Sequence, residues 1–169
     1  MRRLTLPIFL FIATSVVPLQ AQQNQTGDWI KHLKTAKDLT LAVAEAMPGE
    51  DYGFKPNPEE MSFAEQLDHL ARAQAGACAR VTDTKNPVAK PETMDKTSVT
   101  KEINAAYDFC ISSLESLNDS QLDKMVGSPG HQMTAREALL SSLVHSAHHR
   151  GQTEVYLRLK NIKPPQYKF

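Results

Sequence analysis

A chain of 169 residues can bury a sizeable core in one domain and is short for two. Nineteen basic residues balance nineteen acidic ones; without the first 21 residues, which hold Arg2 and Arg3, 17 face 19, a net −2. That balance excludes the electrostatic footprint of a nucleic-acid or anionic-membrane binder.

Residues 1–21 read as a secretory signal peptide. Arg2 and Arg3 form a basic start, Leu4 to Val17 is an uncharged apolar run, and small Ala21 suits the position before a cut. The run is shorter than the roughly 20 apolar residues a membrane span needs, and it contains Pro7. The residues around Arg2-Arg3 fit a twin-arginine signal poorly, and no cysteine near the cut offers a lipid anchor. The expectation is a periplasmic or secreted domain over 22–169, without a stable membrane anchor after processing.

Apolar periodicity is helical throughout the remainder, with no convincing strand alternation. A first helix runs from about Gly27 to Met47, burying Trp29, Ile30, Leu33, Ala36, Val43 and Met47, and Pro48-Gly49 stops it. Glu50 to Pro58 is a loop by its glycine and proline content. Ser62 and Glu65 form a capping box that opens helix two, whose buried side carries Phe63, Leu67, Leu70, Cys78 and Val81 as far as about Thr82. The 14-residue segment Asp83–Lys96 is longer than a tight helical hairpin needs, so helices two and three can run parallel, joined by a crossover.

Helix three carries the cleanest stripe: Val99, Ile103, Ala106, Cys110, Leu114 and Leu117. Asn118 to Met133 is a second long connection, broken by Gly127, Pro129 and Gly130. Thr134 and Glu137 form another capping box, opening a helix to about Leu159 that ends before Asn161, Pro164 and Pro165. Four helices with one apolar face each define an all-α four-helix bundle. Cys78 and Cys110 both fall on apolar faces; a disulfide and a pair of buried, inert thiols are equally consistent with their spacing.

His145 and His149 stand four apart on helix four, one turn apart on one face, where they can share an ion. Ala138, Gln152 and Tyr156 lie near the same line, whereas His148 is about 60° off it and faces solvent. Chance alone gives roughly 0.2 such histidine pairs in a chain of this composition, so packed structural histidines remain the competing account. His69 sits at the margin of helix two's apolar face, with Ala73 and Gly76 continuing its side and leaving room for an ion or small ligand. His32 and His131 read as water-facing, and Arg150 and Arg158 as surface arginines able to meet an anion.

Several segments together carry a resemblance: Met47 to Pro56, Leu67-Asp68-His69-Leu70-Ala71, and His145-Ser146-Ala147-His148-His149-Arg150-Gly151-Gln152 through Tyr156-Leu157-Arg158-Leu159 to Pro164-Pro165. They resemble the DinB/YfiT-like superfamily of metal-binding four-helix bundles. The resemblance implies an up-down-down-up bundle and three metal-ligating histidines, which fall on His69, His145 and His149. It also implies a bound divalent transition metal and room for a small-molecule substrate or ligand, and members often pair as homodimers, although nothing in this sequence fixes the oligomeric state; the three neutral imidazoles themselves suit Zn, Ni, Fe or Cu.

Three imidazoles leave a coordination position for water or substrate, as in catalytic zinc sites. A metal-dependent hydrolase or thiol transferase is the enzymatic expectation; a noncatalytic metal- or ligand-binding module is the alternative. Relatives that use low-molecular-weight thiols do so in the cytoplasm, which an exported chain does not share. Ser146 replaces the glutamate of H-E-x-x-H, no Glu-x-x-His pair occurs, and C-x-x-C-H is absent. These absences exclude the zincin base, the di-iron carboxylate bundle and covalent c-type haem. Glu65, Asp68, Gln152 and Tyr156 are the nearest polar residues, none assigned as a base.

Overall fold

The computed structural model describes residues 24–167; the signal-peptide reading lies outside them. Four helices dominate: α1 (Gln25–Ala46), α2 (Phe63–Thr82), α3 (Lys96–Glu115) and α4 (Ala135–Leu159). Each starts on a side chain that accepts an otherwise orphaned N–H. Asn24 caps α1 and Asp95 caps α3, while α2 and α4 open on the two expected capping boxes, Ser62/Glu65 and Thr134/Glu137. Pro48 explains the end of α1, since it holds Met47 in an extended conformation. Asp83, in the left-handed region with φ 56°, turns the chain out of α2.

α2 packs against α3 and α4, and α1 packs against the same two helices. The core between them is built from Leu33, Val43, Met47, Leu67, Leu70, Ile103, Leu114 and Leu157, all essentially inaccessible. Two aromatic residues not singled out from periodicity, Tyr52 and Tyr107, are among its largest members, beside Phe63 of the α2 stripe. Tyr52 enters the core because its hydroxyl donates to the Ala44 carbonyl at 2.8 Å, which satisfies the one polar atom it buries. Cys78 and Cys110 form a disulfide, Cα to Cα 5.3 Å, which joins α2 to α3 and decides the question the spacing left open.

The connection before α4 differs from expectation. It holds a 3-10 turn at Asp119–Asp123 and a two-stranded antiparallel ribbon, β1 (Met125–Val126) with β2 (Met133–Thr134). Two-residue strands are too short to show alternation. Gly127 makes the turn possible: its φ is +106°, and a Cβ there would lie 2.5 Å from the His131 carbonyl oxygen. α4 is also less simply amphipathic than the other helices, because Leu140, Val144, Val155 and Leu159 stand exposed on its outer side. Among the described residues, no helix is long and apolar enough to cross a membrane.

Candidate metal centre

His69 projects from the middle of α2, and His145 and His149 from successive turns of α4. Their rings form a triangle, with centroid separations of 5.0 Å (69–145), 4.6 Å (69–149) and 4.4 Å (145–149). One ring nitrogen from each lies within 4.8 Å of the other two, and Nε2 of His145 is 3.0 Å from Nε2 of His69. Edge-to-face rings with converging nitrogens place three neutral donors around one point, which small ring rotations would let one ion reach.

The second partner of His149 fixes its tautomer. The Tyr156 hydroxyl donates to the Met61 carbonyl at 2.9 Å, so it has a lone pair left to accept from the Gln66 amide N–H at 3.4 Å. That turns Gln66 Oε1 toward His149, whose Nδ1–H donates to it at 2.5 Å. Nε2 of His149 therefore carries the free lone pair, the arrangement in which an outer hydrogen bond prepares a histidine to ligate. Burial pushes His149 down to about 4, with the neighbouring histidines adding to the effect, so a proton does not compete for it at neutral pH. Burial, then the adjacent His69 and His148, lowers His145 as well.

Gln66, 2 % exposed, is the residue at the histidine cluster that periodicity missed. A polar residue one turn before His69 on a buried face was the available signal. The polar neighbours singled out from sequence have other partners. Glu65 is held in the capping box, its carboxyl lowered chiefly by the Ser62 backbone N–H. Asp68 accepts two hydrogen bonds from Arg72, at 2.9 and 2.7 Å, and Gln152 pairs with exposed His148 at 2.9 Å. His32 and His131 are exposed, as expected. Arg150 is a correction: it is 7 % exposed, drawn into the interior near Tyr107 rather than lying on the surface. The long aliphatic stem of arginine makes such burial tolerable.

Facing Asp68 from α3 lies a buried acid. Glu102 is 5 % exposed, and burial, with the facing Asp68 carboxylate adding, pushes its carboxyl up to about 8. At neutral pH it is protonated, and neither of its carboxyl oxygens has a hydrogen-bond partner among the described residues.

Fold and site together define a four-helix bundle with a three-histidine candidate metal centre between α2 and α4. The sequence pattern of the DinB superfamily matches residues 32–153, and the chain belongs to that superfamily. It is similar to the uncharacterized protein YjoA of Bacillus subtilis (strain 168), 23% identical over 138 residues, covering 79% of this chain and 90% of YjoA. The crystal structure of that DinB-like protein superposes with a TM-score of 0.72, covering 83% of this chain and 97% of its own. A DinB-like protein from Bacillus cereus ATCC 10987 gives 0.71 at 15% identity, covering 84% and 97%. At such identities these likenesses speak to the fold.

Proposed function

We propose that this protein is an exported divalent-metal-binding member of the DinB superfamily, with His69, His145 and His149 as the ligands. The observation that carries the reading is the convergence of three ring nitrogens within 4.8 Å, one of them oriented by Gln66. Neutral imidazoles suit Zn, Ni or Fe, and three of them leave a position open to a ligand. A divalent ion held there would polarise a bound group or acidify water. The chain's own part is to hold the three rings, keep His149 unprotonated and admit a small molecule from the α2–α4 groove. The substrate chemistry consistent with this is hydrolysis or thiol transfer. The up-down-down-up connectivity is part of the same reading, supported by the long segment between α2 and α3.

Export draws support from the leader-like residues 1–21 and from the Cys78–Cys110 pairing, since disulfides persist in oxidising compartments. Metal analysis of protein purified without a polyhistidine tag tests the site. The wild type should hold an ion and His145→Ala should not; equal content in the two would sink the triad.

A second reading, a noncatalytic binding module, is favoured by one observation. Glu65, Asp68 and Tyr156 are each engaged elsewhere, which leaves none of the three free as a general base. Turnover by the metal-loaded protein in a hydrolysis and thiol-transfer screen would decide for the enzyme.

A further inference from the structure

We infer that the groove between α2 and α4, running from the histidine triad to Arg80, seats an elongated organic anion whose other end meets the metal. This rests on the metal reading above, because the triad closes one end of the groove. The cavity is about 570 Å³, within the range of small-molecule sites. His69 and His145 line one end, and Arg80 and Met133 the other. Eleven helical residues separate His69 from Arg80, a rise of about 16 Å. A molecule that touches both ends is therefore long and narrow.

Three independent features give the groove its chemistry. Ser142, 7 % exposed, lines it with a buried hydroxyl that has no hydrogen-bond partner. A buried hydroxyl left unpaired is costly, and a polar atom of a ligand lying in the groove would satisfy it. The charges are of one sign: Arg72 and Arg80 line the groove and no aspartate or glutamate does. Arg72 is committed to Asp68, whereas the exposed Arg80 guanidinium enters no ion pair with any described residue. Arginine is the side chain best suited to hold a carboxylate or phosphate through paired N–H groups.

Gly76 is the third feature. It lies in the middle of α2, where glycine carries an entropic cost, yet a Cβ there would meet nothing within 4 Å. No packing demand accounts for the glycine; it keeps the groove open. Beyond Arg80 a second cavity of about 690 Å³ continues under the β1–β2 ribbon, but Asp83 lines it, so the anion seat belongs on the triad side of Arg80.

Titration calorimetry on metal-loaded, untagged protein tests this. The probes are linear hydroxamic acids of graded length, ending in a carboxylate or in a neutral carboxamide, with acetohydroxamic acid as the short control. At the best length the carboxylate should bind at least tenfold tighter than the carboxamide. Arg80→Gln should erase that preference without changing metal content or carboxamide affinity. Gly76→Leu should weaken the long probes about tenfold and leave acetohydroxamic acid unchanged. Equal binding of carboxylate and carboxamide at every length, or a preference that survives Arg80→Gln, would overturn the anion seat. Metal content separates the two failures: protein without an ion loses both readings, and protein with an ion but no preference loses this one alone.

Discussion

The two seams that α2 makes with its neighbours are built on opposite plans. Toward α3 it presents Cys78, and a disulfide to Cys110 closes an apolar contact that includes Val99, Ile103 and Leu114. Toward α4 it presents Gln66 and His69 and leaves a cavity beside them. Gln74, wholly buried, touches both: its amide N–H approaches the two cysteine sulfurs, and its carbonyl accepts from the Ser146 hydroxyl at 3.0 Å. One side of the helix is stapled so that the other can hold polar groups in place without collapsing onto them. Precise sites need such rigid backing.

The staple offers the largest expected effect. Cys78 and Cys110 are 32 residues apart, and closing a loop of that length restricts the unfolded chain by about 3–4 kcal/mol. Cys110→Ala, or thiol reduction of the wild type, should lower unfolding stability by that order in urea titrations. A change below about 1 kcal/mol would mean that the α2–α3 seam stands on its apolar packing alone.

Glu102 tests the same seam by pH. Its carboxyl keeps a proton up to about 8 in the folded chain, while an unfolded glutamate releases it near 4.5. The folded state thus binds the extra proton across that window, so this group's contribution is full below about 4.5 and is lost as pH rises through 8. Because the Asp68 carboxylate raises this carboxyl while the Arg72 guanidinium lowers it, the loss by pH 8 is on the order of 2 kcal/mol. Glu102→Gln, permanently neutral and of the same shape, should remove that loss and match the wild type at pH 4. Identical stability slopes between pH 5 and 8 would refute it.

Why the two seams were unequally legible follows from the signals they carry. Capping boxes at Ser62 and Thr134 and the stripe on α3 are short-range patterns, so element boundaries came within a residue or two. His145 and His149 share a helix, and their spacing alone put them on one face. His69 reached them only through tertiary packing, which periodicity does not encode; the family resemblance supplied it. The same limit hid Gln66, whose partners His149 and Tyr156 are 83 and 90 residues away. The disulfide was undecidable because it depends on helix rotation, and the β1–β2 ribbon because two residues carry no period.

On the open seam, Gln66→Leu removes the acceptor of His149 Nδ1–H while keeping the side-chain bulk. Loss of such an outer hydrogen bond typically costs 10–100-fold in metal affinity. Competition with a chelator should show at least a tenfold weaker site with the helical content unchanged. Affinity equal to wild type would mean that the Gln66 contact serves packing, and that the two seams differ less than their composition suggests.

The smallest effect separates the plans most directly. Replacing glycine by alanine inside a helix stabilises by roughly 0.5–1 kcal/mol when the new methyl group fits, and at Gly76 it meets nothing within 4 Å. Gly76→Ala should therefore raise the melting temperature by about 1–4 °C. A lowered melting temperature would show that the backbone at Gly76 is held by something other than open space. The expected rise would mean that the α2–α4 seam carries a glycine that stability alone would replace, and the neighbouring cavity is the structural reason the position has to stay small.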